Sequence, residues 1–117
     1  MSSDRLIELQ KELRQFSEQR DWSQFHNPKN LAMLIASEAG ELLSELRWVA
    51  GADSDQYLEN PEVRTKIEHE IADILIGVLI FCDRAGIDFY RAVQEKIKIN
   101  ANNYPPDGHG MPTRKQS

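Results

Sequence analysis

An all-α protein is the fold class that this sequence predicts, and three observations carry that expectation. Apolar residues recur at three- and four-residue steps in four segments, no stretch alternates strictly over the length of a strand, and Asn-Pro start signals stand at Asn27-Pro28 and Asn60-Pro61. The first segment, Asp4 to Arg20, sets Leu6, Leu9, Leu13 and Phe16 on one amphipathic stripe. Asn27 then offers an N-cap and Pro28 a first helical residue, which opens a second helix running to about Ala50, with Gly51 as its stop. The polar stretch from Ala52 to Glu59 reads as a loop. Asn60-Pro61 starts a third helix that ends before Gly86, and Asp88 caps a fourth that carries Phe89, Val93 and Ile97 and stops before Pro105-Pro106. Residues 1–106 therefore form the helical domain, and the Gly- and Pro-bearing segment 107–117 is expected to be a flexible tail.

Composition narrows the class of partner. The chain has 117 residues, one domain's worth, and a formal net charge of −5, which excludes a general nucleic-acid binder because phosphate-backbone affinity rests on clustered Lys and Arg. Its single cysteine, Cys82, permits no internal disulfide and fits a reducing, cytoplasmic setting, as does the polar start Met1-Ser2-Ser3-Asp4. The longest apolar run, Ile74 to Cys82, is far shorter than the roughly 20 residues that cross a bilayer, so no membrane association is expected. Four helices of this length make a small core, and burial of their apolar faces calls for a second copy of the chain: a homo-oligomer.

The informative feature is where four acids fall. At about 100° per residue, Glu38 and Glu41 lie within the arc of Leu31, Leu34, Leu42 and Val49 on the second helix, and Glu70 and Asp73 within that of Val63, Ile67, Ile74 and Phe81 on the third. One acid pair spaced three residues apart is ordinarily a solvated face. Two pairs inside apolar stripes, on helices with the same start signal, are not, because a buried carboxylate without a partner is costly. Carboxylates about 4 Å apart repel by roughly 4 kcal/mol at an effective dielectric near 20. Lys66 stands one turn before Glu70, but one ammonium does not balance four acids. A divalent cation does, and an all-oxygen ligand set without sulfur selects a hard ion, Mg²⁺ first and Mn²⁺ or Ca²⁺ next. Glu45, one turn beyond Glu41, is either a supporting acid or the edge of the stripe. A di-iron bundle would require Glu-x-x-His elements, and the third residue after Glu38 is Glu41, after Glu70 Asp73. His69 points about 100° away from Glu70 and is expected to be partly exposed, and Cys82 in the apolar run has no arrangement with His26, His69 or His109 that would make a nucleophile.

Glu38-Ala39-Gly40-Glu41 and Glu70-Ile71-Ala72-Asp73 resemble the paired acidic motif of the MazG-like all-α nucleoside triphosphate pyrophosphohydrolases. Two further stretches are similar to the dCTP pyrophosphatase branch: Arg20 through Asn30, and Lys96, Asn100 and Tyr104-Pro105 at four-residue steps. The resemblance implies a four-helix fold completed by oligomerisation and Mg²⁺-dependent hydrolysis of a (deoxy)nucleoside triphosphate, dCTP or a related deoxynucleotide, to the monophosphate and pyrophosphate in housecleaning of the nucleotide pool. It further implies Glu38, Glu41, Glu70 and Asp73 as metal ligands, Lys96 and Asn100 as phosphate or sugar contacts, and Trp22, His26 and Trp48 as the base pocket with Lys29, Asn30 and Tyr104 nearby. A homodimer or homotetramer with sites shared across the interface is also implied.

The residues add support of their own for Trp48. It follows Glu41 by seven residues, so a continuous helix would carry it on nearly the same side about 10 Å further along, at the distance of a base from its phosphates. Its alternative role is an anchor at the helix end against a partner subunit. Lys29, Ala101-Asn102-Asn103 and Leu13 depart from the animal enzymes, which carry Arg, a basic run and a histidine at those places, and leave dATP or a modified nucleotide open beside dCTP. The chemistry needs no covalent intermediate. Glu41 is the carboxylate expected to take the proton of the attacking water. The rival functions are a non-catalytic helical regulatory dimer, in which the acid pairs would be eroded, and an all-α dUTPase-like enzyme, from which the Trp22 to Asn30 stretch differs.

Overall fold

A computed structural model describes residues 2–106, and the tail expected over 107–117 lies outside them. The described residues are helical and contain no strand. The chain forms two compact units, one from Met1 to Gly86 and one from Ile87 onward.

In the first unit, α1 spans Ser2–Gln19. It ends in a Schellman motif: Trp22 N donates to Ser17 O at 2.9 Å and Asp21 N to Glu18 O at 3.2 Å. The left-handed residue this motif requires is Asp21, at φ 56°, a conformation that Asp tolerates better than most L residues. The Phe16 and Trp22 rings close it edge to face, 5.6 Å apart. A 3₁₀ turn over Ser23–Phe25 leads to α2, Pro28–Leu46, whose Asn27 cap accepts from Asn30 N as the sequence signal requires.

α2 stops earlier than expected, at Leu46 rather than near Ala50. Val49 N turns back to Leu46 O in a tight turn, where an aromatic and a β-branched residue follow one another and both favour helix only weakly. The segment expected to be a loop is ordered instead as a 3₁₀ turn, Gly51–Asp53, running into the one-turn helix α3, Ser54–Tyr57. Ser54 Oγ secures it by donating to Gly51 O at 2.7 Å. α4 spans Pro61–Ala85, capped by Asn60 Oδ1, which accepts from Glu62 N and Val63 N, and closed by Gly86 in the left-handed region at φ 67°.

α2 and α4 run antiparallel, with Ile35 against Gly77 and the His26 end of α2 against Arg84. A Cβ at position 77 would stand 2.9 Å from Ile35 Cγ1, so the absent side chain is what lets the helices approach. Leu31 and Leu79 are fully buried in the core. α1 lies parallel to α4 and is tied to it one turn apart, by Gln10 Nε2 donating to Leu79 O at 2.8 Å and by the Arg14 fork on Asp83. That fork holds the Asp83 carboxyl below the usual range. Large apolar side chains remain outside this core, among them Met33 at 60%, Leu43 at 64% and Ile71 at 49% exposure.

The second unit contains α5, Phe89–Asn103, opened by Asp88 accepting from Arg91 N. Tyr104 N donates to Asn100 O and ends the helix before Pro105-Pro106.

Candidate active site

The antiparallel pairing of α2 and α4 brings the two acid pairs together halfway along both helices. One carboxylate oxygen from each of Glu38, Glu41 and Glu70 lies within 4.8 Å of the others. Asp73 stands outside that trio, yet its charge acts on both Glu38 and Glu70, so all four acids share one electrostatic neighbourhood. Glu38 and Glu70 are half-buried, whereas Glu41 and Asp73 are exposed rather than turned into the core as their wheel positions suggest. The acid face is the lip of the helix pair and not its interior.

Glu38 Oε2 and Glu70 Oε2 are buried and have no hydrogen-bond partner among the described residues. Burial is the first cause that pushes the Glu38 carboxyl up to about 7, followed by its contact with the Glu41 carboxyl and by the charges of Asp73 and Glu70. Glu70 is raised for the same first reason, then by Glu41, Asp73 and Glu45. That last contribution ties Glu45 to the cluster. Two orphaned carboxylate oxygens beside a third oxygen, with no sulfur or imidazole in the set, fit a hard divalent cation. Lys66 is exposed one turn earlier, and His69 is exposed as expected.

Within the first unit, Trp22 and His26 do not meet Trp48. Trp22 and His26 precede α2 and Trp48 follows it, and 19 helical residues separate the two groups by about 28 Å. α2 ends at Leu46, so Trp48 stands in the turn just beyond the helix rather than within it. It stands 84% exposed, with the Arg47 guanidinium 5.0 Å from its ring. Trp22 is 46% exposed over Phe16, and His26 is half-buried at the end of the 3₁₀ turn. Lys29 is exposed in the first turn of α2. The Asn30 side chain donates from Nδ2 to Phe25 O at 2.9 Å and so organises the segment before the helix. Lys96 and Asn100 lie one turn apart on α5, and Tyr104 follows as its cap. Arg84 escaped the sequence reading altogether: from α4 it donates to the carbonyls of Ser23 and His26, and a lone Arg near a helix end carries no signal of such a partner.

Comparison with known proteins bears on the same residues. The chain is 34% identical over 91 residues to dCTP pyrophosphatase 1 of Rattus norvegicus and 33% identical over the same length to dCTP pyrophosphatase 1 of Homo sapiens. Each alignment covers 78% of this chain and 54% of the relative, so the chain spans about half the length of these curated relatives. A crystal structure of a pyrophosphatase from Archaeoglobus fulgidus superposes with a TM-score of 0.81 at 38% identity, covering 86% of this chain and 93% of the other. The pattern of the MazG-like family matches residues 33–114, which include both acid pairs, and the chain belongs to that family.

Proposed function

We propose that the chain is a nucleoside triphosphate pyrophosphohydrolase that uses Mg²⁺ to convert a (deoxy)nucleoside triphosphate, dCTP or a related deoxynucleotide, to the monophosphate and pyrophosphate. The observation that carries this reading is the trio of carboxylate oxygens within 4.8 Å, two of whose residues leave a buried oxygen unpartnered. The names of its relatives, two of them dCTP pyrophosphatases, support the reaction class.

Glu38, Glu41, Glu70 and Asp73 hold the cation, and when bound it supplies positive charge for the triphosphate oxygens and lowers the pKa of water. Glu41 is exposed beside both half-buried glutamates and accepts the proton of the attacking water, since it is open to solvent where each of them keeps one carboxylate oxygen buried. Lys96 and Asn100 bind phosphate or sugar. Trp22, His26 and Trp48 receive the base, with Lys29, Asn30 and Tyr104 around it. Aromatic stacking supplies roughly 1–3 kcal/mol per base without choosing among bases.

The subunit acts as a homo-oligomer. The roughly 28 Å between the Trp22 and Trp48 ends of α2 supports a base pocket made by two copies, and the exposed Met33, Leu43 and Ile71 supply apolar surface for their contact. No described helix is long and apolar enough to cross a membrane, which accords with a nucleotide-pool enzyme of the cytoplasm. A panel of natural and modified nucleoside triphosphates, incubated with Mg²⁺ and scored for monophosphate and pyrophosphate, tests the assignment. Release of orthophosphate alone would reject it.

A further inference from the structure

Arg84 stands in the last turn of α4, and its Nη1 donates to Ser23 O and to His26 O, both at 3.2 Å. The two carbonyls bracket the 3₁₀ turn between Trp22 and His26. Among the described residues the other bonds that order this turn are local, including Phe25 N to Trp22 O, His26 N to Ser23 O, Gln24 Nε2 to Asp21 O, Asn30 Nδ2 to Phe25 O and Trp22 N to Ser17 O. Local bonds set the turn's shape but not its seat on the helices behind it. The Arg84 bonds cross 61 and 58 residues of sequence and so fix that seat. Trp22 meets Phe16 of α1 ring to ring, but on the Ser23 and His26 side a cleft of about 300 Å³, lined also by Gln10, Arg14, Ser17 and Arg84, lies against the turn. Arg84 is itself exposed, so its replacement opens no hole in the core.

We propose that Arg84 is a positioning residue for base recognition, holding the Ser23 and His26 carbonyls so that Trp22 and His26 meet the base in one fixed orientation. This rests on the nucleotide-hydrolase reading above. A cation in the last turn of a helix also complements the helix dipole, which is a purely structural role. The variant that separates the two is Arg84→Met, which keeps the aliphatic stem and removes the donors, measured beside Arg84→Lys, which keeps the charge at the helix end.

For Arg84→Met, KM for the preferred nucleoside triphosphate rises about tenfold, a loss of roughly 1.4 kcal/mol of binding, while kcat stays within about twofold. The ratio of kcat/KM between the preferred and the poorest base contracts by a similar factor. Acrylamide quenching of Trp22, read in a Trp48→Phe background used for fluorescence only, increases. Arg84→Lys holds the melting temperature of the wild type yet falls short of its base discrimination. A lower melting temperature with unchanged KM, discrimination and quenching would assign Arg84 to the helix dipole and overturn the proposal. Wild-type protein that hydrolyses no nucleoside triphosphate would instead overturn the functional reading, and the quenching arm then still decides whether Arg84 seats the turn.

Discussion

Glu38 retains its proton up to about pH 7 because burial and three neighbouring acids disfavour its charge. The folded, metal-free protein therefore holds a proton that the unfolded chain has released between about pH 4.5 and pH 7. Its stability falls as pH rises through that window. On the proposed reading, a divalent cation held by the ionised carboxylates of the folded state would reverse the loss. Thermal scans should show the metal-free melting temperature dropping from about pH 5 to pH 7.5, with Mg²⁺ raising it more at the higher pH; an equal rise at both would separate the cation from the Glu38 carboxylate. Glu38→Gln removes the repulsion and, on the proposed reading, a metal ligand together. The expected variant releases no pyrophosphate, yet without metal at pH 7.5 it melts about 2–5 °C above the wild type, the shift of roughly 1 kcal/mol in a domain of this size. Assays of pyrophosphate release and of melting on the same preparation check both halves.

The pairing of α2 with α4 does the assembling. Each helix carries half of the acid cluster, and the register that joins them is set where Gly77 admits Ile35. Gly77→Ala gains up to about 1 kcal/mol of helix propensity but places a methyl 2.9 Å from Ile35 Cγ1, close to the stem of a β-branched side chain that has little freedom to yield. Overpacking of this kind costs about 1–3 kcal/mol, so the net effect is destabilising by about 1 kcal/mol, read as a lower denaturation midpoint. Any shift in register also spreads the glutamates, and Mg²⁺ should then protect Gly77→Ala less from thermal unfolding than it protects the wild type. α1 is fastened separately to α4 by Gln10 and Arg14.

For the molecule as a whole, the positions of the aromatic residues decide how many chains make a site. His26 and Trp48 lie at opposite ends of α2, so in the proposed oligomer His26→Ala and Trp48→Ala would damage different contributions to a pocket shared between copies. Unfolding and refolding an equal mixture of the two defective proteins should restore about a quarter of wild-type activity at low substrate, since half of the dimers are mixed and each has one intact site. No recovery above the separate variants would place the whole pocket in one chain.

The four long helices, their Asn and Asp caps and the Gly86 stop were legible in the sequence because each depends on a few neighbouring residues: a side-chain oxygen two or three positions from a free N–H, a proline that needs none, a residue that adopts positive φ. The two acid pairs were legible for the same reason, since helical spacing alone sets them on the apolar side. Where α2 ends was not. Arg47 to Ala50 contains no breaker, and the tight turn there competes with one more turn of helix by a margin that local propensity does not resolve. The gathering of Glu38, Glu41 and Glu70, the exposure of Glu41 and Asp73, and the reach of Arg84 to Ser23 and His26 come from the antiparallel crossing of α2 and α4. Those relations join residues tens of positions apart, and their geometry is set by side-chain packing at the crossing rather than by any pattern along the chain.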